Sequence, residues 1–147
     1  MRLKIRLLPL LLLALLLASC TDPDLTTVAK ALNDTAQGLS VFQATVIQAN
    51  AEKLVSEPMT RTLLESALRV DNAGQRAVAI TRGLNALAPQ DRTNILAILN
   101  PVIGALADTQ ASITLGIADT GTQNSIRAAL LLIQTSLNTA QLVLAAR

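Results

Sequence analysis

Residues 25–49 read LTTVAKALNDTAQGLSVFQATVIQA. Apolar or small side chains recur here at alternating spacings of three and four residues, at Leu25, Val28, Leu32, Thr35, Leu39, Phe42, Val46 and Ala49. An α-helix places residues with this spacing on one side, because 3.6 residues complete a turn. The pattern predicts a long helix with one buried seam, capped by Asp22, with Pro23 in its first turn and an end near Ser56. Gly38, inside this helix, is a candidate point of close packing.

Three further amphipathic segments follow, each after a break. The sequence 56–58, Ser-Glu-Pro, supplies a cap and a proline that favour the start of a second helix. The sequence 88–91, Ala-Pro-Gln-Asp, precedes a third helix that we expect to continue through Ile113 and Ile117. The sequence 119–122, Asp-Thr-Gly-Thr, is interpreted as a turn, and a fourth helix is predicted from about Gln123 to Ala146.

These four segments predict an all-α fold. Short connections between long helices favour antiparallel neighbours, and hence an up-down-up-down four-helix bundle. Pro101 lies inside the third helix and is expected to kink it, because proline lacks the backbone N–H and crowds the preceding turn. The chain has no Trp or Tyr and one Phe, so the core must be built mainly from Leu, Ile, Val and Ala.

A weak internal repeat accompanies this pattern. Five residues recur 74 positions later: Val28, Ala31, Leu32, Asp34 and Thr35 match Val102, Ala105, Leu106, Asp108 and Thr109. Duplication of a helical hairpin would produce such a match, and so would coincidence in a sequence so rich in Ala and Leu.

The first nineteen residues have the pattern of an export signal. Three cations, Arg2, Lys4 and Arg6, precede an apolar run from Leu7 to Ala18. Crossing the hydrocarbon core as a helix takes about 20 apolar residues, and this run supplies only about 12. The pattern therefore predicts a cleaved signal rather than a membrane span.

The signal ends in Leu17-Ala18-Ser19-Cys20, which resembles the lipobox of bacterial prolipoproteins at all four positions. The resemblance covers the first twenty residues. It implies that Leu17, Ala18 and Ser19 form the cleavage motif, and that Cys20 receives a diacylglycerol on its sulfur and becomes the acylated N-terminus. Cys20 is the only cysteine in the chain, so it has no intramolecular disulfide partner.

Three segments are therefore expected: a lipoprotein signal peptide at 1–19, a lipidated tether at 20–24 and a helical domain at 25–147. The lipid on Cys20 would hold the protein to a membrane without spanning it. In Gram-negative lipoproteins, aspartate directly after the lipidated cysteine is associated with inner-membrane retention, and this chain has Thr21 there. The resemblance implies the outer membrane, facing the periplasm, if the host is Gram-negative.

Charge and composition argue against nucleic-acid binding. Removal of the signal leaves nine Lys and Arg against ten Asp and Glu, a net charge of about −1. The expected domain has no cluster of basic residues and a single aromatic side chain, Phe42, so it lacks the electrostatic footprint and the stacking surfaces that nucleic-acid binding uses.

The composition also argues against an enzyme. Without histidine there is no Ser-His-Asp triad and no imidazole metal ligand, and Cys20 is committed to lipid. We therefore expect no catalytic residue, metal or cofactor. Paired carboxylates are the remaining formal possibility, and the candidates are Asp34, Asp71, Asp108 and Asp119. Solvated helix faces and caps are the commoner role of such residues.

Three functional hypotheses remain. The first is a membrane-tethered structural or protein-interaction module whose partner is another copy or an envelope protein. The second is a bundle that binds a lipid or other apolar ligand between helices with small side chains. The third is insertion of part of the domain into the bilayer, suggested by the uncharged stretches 93–107 and 128–146.

Overall fold

The computed structural model describes residues 22–146. Over this range the chain forms four α-helices: α1 (Pro23–Ala51), α2 (Glu57–Thr81), α3 (Pro89–Gly116) and α4 (Thr120–Ala145). The connections between them are short, and no strand occurs within these residues. The predicted all-α class is confirmed.

Helix α1 begins as the sequence predicted and ends earlier. The Asp22 side chain accepts a hydrogen bond from the backbone N–H of Asp24, and Pro23 occupies the first turn. The predicted end near Ser56 is wrong, because the helix stops at Ala51. Lys53 adopts a left-handed conformation with φ 59°, and the N–H of Leu54 donates to the carbonyl of Ala49 at 2.9 Å. This is a Schellman C-cap, in which a lysine occupies the position that usually favours glycine.

Helices α2 and α3 begin at the predicted breaks. Ser56 caps α2 by accepting from the Met59 N–H. At the start of α3, the Asp91 carboxylate accepts from the Ala88 N–H at 3.1 Å. Helix α3 continues without a break through Pro101, whose ring is exposed to solvent. The predicted kink at this residue stays a prediction.

Helix α4 corrects the interpretation of residues 119–122. These residues do not form a separate turn, since the helix begins at Thr120 and Asp119 is its cap. The Asp119 carboxylate accepts from the Thr122 N–H at 2.7 Å, and the side-chain hydrogen bond replaces the missing helical partner of that N–H. An Asp followed by Thr and Gly was compatible with both structures, and the capping bond decides between them.

The four helices pack as a ring. Helix α1 lies against α2 and α4, and α3 lies against the same two helices. The predicted four-helix bundle is confirmed by this arrangement. Contacts between the start of α1, the start of α3 and the end of α4 are those that an up-down-up-down order requires, and that order stays a prediction.

The core follows the seam seen in the sequence. All eight seam residues of α1 are buried, and Phe42 is only 1 % exposed. The remaining core side chains are aliphatic, with Leu63 from α2, Ile95 from α3 and Ile133 from α4 among the most buried. Small residues let the backbones approach, as at Gly38, which faces Ile133.

We expect Gly38→Ala to destabilise the protein. A Cβ at this position would lie 3.0 Å from Ile133 Cγ1 and 3.4 Å from the Ile133 backbone nitrogen. Overpacking of this kind costs about 1–3 kcal/mol, which outweighs the gain in helix propensity. The measurement is the melting temperature by circular dichroism.

Gly74→Ala in α2 is the matched control, because nothing lies within 4 Å of its Cβ position. Alanine there is expected to stabilise by about 0.5–1 kcal/mol. Equal increases in melting temperature for both variants would contradict the close contact between α1 and α4.

Candidate functional site

The residues predicted from the lipobox lie outside the described part of the chain. Leu17, Ala18, Ser19 and Cys20 all precede Asp22, where the structure begins. The described surface nearest to them along the chain is the end of the bundle at which α1 starts. We call it the Arg92 end, and it consists of Asp22, Asp24, Leu87, Arg92 and Val143.

A buried arginine joins three helices at this end. Arg92 lies in the first turn of α3 and is 6 % exposed. One terminal nitrogen lies 2.7 Å from Asp24 Oδ2 on α1, and the other donates to the Val143 carbonyl of α4 at 3.0 Å. Val143 belongs to the last turn of α4, whose carbonyls lack helical partners and carry the negative end of the helix dipole. The guanidinium therefore neutralises a carboxylate and a helix end together.

Asp22 makes a second connection at the same end. Its Oδ1 caps α1, while its Oδ2 accepts from the backbone N–H of Leu87 at 2.9 Å. Leu87 belongs to the connection between α2 and α3, and its side chain is buried. The hydrogen bond from Leu87 is the main reason that the pKa of Asp22 lies below its ordinary value, and the positive charge of Arg92 contributes in the same direction.

The chain is therefore fixed in place from Asp22 onward. The start of α1 contacts the connection between α2 and α3 through Asp22, and contacts α3 through Asp24. Helix α1 takes in Pro23 and Asp24, which the sequence had assigned to the tether. Along the chain, one residue, Thr21, lies between Cys20 and Asp22.

The sequence pattern predicted the Asp22 cap but not the role of Arg92. The signal for Arg92 was its spacing, because it precedes Ile95 by three residues and Leu99 by seven, in register with the buried side of α3. A charged residue at such a position predicts a buried partner. Its partners Asp24 and Val143 are 68 and 51 residues away, so sequence periodicity could not identify them.

The opposite end of the bundle is held by hydrogen bonds from α4. Gln123 Nε2 donates to the carbonyls of Thr114 and Ile117 at 3.0 and 3.4 Å, near the end of α3. Arg127 donates to the Thr114 hydroxyl. The N–H and the hydroxyl of Thr122 lower the pKa of Asp119 at the start of α4. The Gln123 contacts satisfy carbonyls that the end of a helix leaves free.

The four candidate carboxylates have local partners or line a groove. Asp34 pairs with Lys30 at 2.6 Å, Asp71 accepts from Gln75 at 2.7 Å, and Asp119 is a helix cap. Within residues 22–146, no group of three or more His, Cys, Asp or Glu side chains could hold a metal ion.

Asp108 lines a groove between α2 and α3. The groove has a volume of about 180 Å³, below the roughly 300–1,000 Å³ of small-molecule sites. Its floor includes Val70 and Leu106, and its rim carries Arg69 and several hydroxyl groups. The hydroxyl oxygens of Thr109 and Ser66 lie 3.1 Å apart across the α2–α3 interface. The groove is a small, polar-rimmed depression.

Helices α3 and α4 are long and apolar enough to cross a membrane, by length and composition alone. Core helices of water-soluble proteins satisfy the same criteria. In their most apolar windows, 22 % of the α3 residues and 33 % of the α4 residues are buried in the bundle. The other residues of each window are half-buried or exposed in the part of the fold that the structure describes.

Comparison of the chain with protein-family models, with curated proteins and with solved structures gave no match.

We expect Arg92→Met to lower the free energy of unfolding by about 2–4 kcal/mol, because it leaves the Asp24 carboxylate and the end of α4 without the guanidinium. The Asp24 side chain is 24 % exposed, so water compensates for part of the loss. Arg76→Met on the exposed side of α2 is the matched control, with an expected change within about 0.5 kcal/mol. Urea denaturation measures both variants, and equal effects would contradict the role of Arg92.

The Asp22 carboxylate predicts a pH dependence. Its pKa is lowered in the folded state, so its stabilising effect is complete above the unfolded value of 3.8 and is lost as the pH falls through the folded pKa. Asp22→Ala is expected to reduce the melting temperature at pH 7, and the difference from wild type should narrow between about pH 5 and pH 2. A difference that stays constant over this range would contradict an ionised Asp22 in the folded protein.

Proposed function

We propose that this chain is a bacterial lipoprotein, anchored in a membrane of the cell envelope through lipid on Cys20, whose helical domain is a non-catalytic structural or protein-interaction module. The lipobox-like residues 17–20 support the anchor. The observation that carries the proposal is the position of α1, which is capped at Asp22 and bonded to the rest of the bundle directly after this motif.

The short covalent distance from Cys20 to the fold supports an anchoring role. Two residues, Thr21 and Asp22, separate Cys20 from Pro23, and the three residue-to-residue steps span at most about 10 Å when fully extended. Lipid on Cys20 would therefore hold the Arg92 end of the bundle at the membrane surface. Two or more acyl chains, each worth about 0.8 kcal/mol per buried CH₂, would make this attachment stable.

A module without catalysis fits the chemistry of the described residues. The acidic side chains serve as caps, local partners or groove lining, and the buried arginine is satisfied by a carboxylate and a helix end. The bundle offers long helical surfaces rather than a deep cleft, so protein contacts are its natural means of action.

Binding of a lipid or other apolar ligand inside the bundle is the second candidate. Such a ligand needs an apolar space between the helices. The groove between α2 and α3 is rimmed by Arg69, Asp108 and hydroxyl groups, and a more open groove of about 430 Å³ is lined by charged residues that include Arg61 and Glu65. Such charged linings suit an apolar ligand poorly. We therefore place this function second.

The proposed location follows from the residue after Cys20. Because Thr21 rather than aspartate occupies it, we propose the outer membrane, facing the periplasm, for a Gram-negative host.

The test compares wild type with Cys20→Ser in a bacterial host, using membrane fractionation and intact-mass measurement. We expect wild type to be cleaved before Cys20, to gain the mass of its acyl chains and to enter the membrane fraction. The serine variant should gain no acyl mass. If both proteins are released in soluble, unacylated form, the lipoprotein proposal is wrong.

A further inference from the structure

Helix α4 has a second heptad pattern on the side opposite its buried face. Its buried residues recur at spacings of three and four, through Ile126, Leu130, Ile133, Leu137, Ala140 and Leu144. The same alternation recurs on its outer side, where all seven residues are exposed: Asn124, Ala128, Leu131, Thr135, Asn138, Leu142 and Ala145. We call these seven residues the α4 outer stripe. Every face of an α-helix repeats at this spacing, so the residues of the stripe, rather than their spacing, distinguish it from other exposed helix faces.

The α4 outer stripe is uncharged and carries large apolar side chains. Leu131 is 58 % exposed and Leu142 is 71 % exposed. The only charged residue between Thr120 and Ala145 is Arg127, which lies outside the stripe. The outer sides of α1 and α2 differ, since exposed charged residues such as Lys30 and Arg61 lie on them.

We propose that the α4 outer stripe is the contact surface for a second copy of this chain, in a parallel pair of α4 helices. A two-fold axis brings each residue of such a stripe next to the same residue of the second copy. A charged residue would then meet a like charge, and this stripe contains none. Asn138 fits self-pairing because an amide is both donor and acceptor.

The proposed anchor, on which this inference rests, explains why the pairing is parallel. Lipid on Cys20 would hold the Arg92 end of every copy at the membrane, so neighbouring bundles would share one orientation. Their α4 helices then run in the same direction, with equal residues at equal heights above the bilayer. Asn138 is thereby placed opposite Asn138 of the second copy, and Leu142 opposite Leu142.

The size of the stripe predicts an association that depends on the membrane. From Asn124 to Ala145 the stripe is about 32 Å long, and a helix face is about 10 Å wide. Two copies would bury on the order of 600 Å², which is less than the roughly 1,200 Å² of stable complexes. Confinement on a membrane raises the effective concentration and compensates for this small area. The domain without lipid is then a monomer.

The chemistry of the stripe favours a protein partner over the bilayer. Asn124, Thr135 and Asn138 would have no hydrogen-bond partners among lipid tails, whereas a second helix supplies them. The stripe also lacks the Trp and Tyr that mark membrane interfaces.

Disulfide cross-linking of the full chain in bacterial membranes tests the proposal. Asn138→Cys places a thiol at the predicted two-fold contact, and Asn72→Cys places one on the exposed side of α2 as the matched control. After mild oxidation, we expect at least about tenfold more disulfide dimer for Asn138→Cys than for Asn72→Cys. The wild-type chain is a second control, because any disulfide dimer that it forms must be linked through Cys20.

Adding Leu131→Arg to Asn138→Cys is expected to reduce the dimer to the level of the control, because like charges would meet across the axis. Leu131 is exposed, so the fold should be retained, and circular dichroism checks this. Equal cross-linking of Asn138→Cys and Asn72→Cys would overturn the proposal. The proposal would also be overturned if the Cys20→Ser protein bound membranes and adding Leu131→Arg abolished that binding. Such a result would assign the stripe to the bilayer.

The mass measurement separates this inference from the proposed function. Acylated protein without selective cross-linking at Asn138 would overturn the pairing and leave the lipoprotein intact. Selective cross-linking of unacylated protein would support the α4 outer stripe as the contact surface, but it would overturn both the anchor and the membrane dependence of the pairing.

Discussion

The buried charge of Arg92 is the constraint on which the packing of the bundle depends. A guanidinium removed from water costs several kcal/mol unless its charge and its hydrogen-bond donors are satisfied. Here Asp24 on α1 supplies the negative charge that pairs with Arg92, and Val143 on α4 supplies a carbonyl that accepts a hydrogen bond. A packing that moves either helix away from α3 leaves Arg92 buried without that partner. Aliphatic side chains alone would tolerate sliding of one helix along another, because Leu, Ile and Val contacts are not directional. The ion pair therefore selects one register among the arrangements that bury the same seams.

Local interactions made most of the fold predictable from the sequence. The seam of α1, the caps at Asp22 and Ser56 and the breaks between helices all depend on residues a few positions apart. Two predicted helix boundaries were wrong, because the local sequence at each is compatible with two different structures. Lys53 ends α1 in a conformation that favours glycine, and Asp119 caps a helix where its sequence also suits a turn. The bonds of Arg92, the Leu87–Asp22 bond and the contacts of Gln123 were not predictable, since their partners lie in other segments of the chain.

The internal repeat can be compared with the burial of the matched residues in α1 and α3. Thr35 in α1 and Thr109 in α3 are both buried, and each hydroxyl donates to the carbonyl four residues earlier. Leu32 and Leu106, three residues before them, are both core residues. Two of the five matched pairs are therefore buried in both helices, whereas Val102 and Ala105 in α3 are only half-buried where α1 has buried residues. Equivalent burial is what duplication of a hairpin would preserve, and a regular bundle also imposes it on unrelated helices.

The two bonds at the start of α1 also determine how the fold responds to mechanical force. A pull on the chain ahead of Asp22 acts first on the bond from Leu87 and on the ion pair between Asp24 and Arg92. Both contacts lie within the first turn of α1, so they share the load before the helix can peel away from α2 and α4. Hydrogen bonds that share a load must break together, which resists extension better than the same bonds broken one after another. A domain drawn toward a moving surface would thus transmit tension into three helices at once, instead of unravelling from its end.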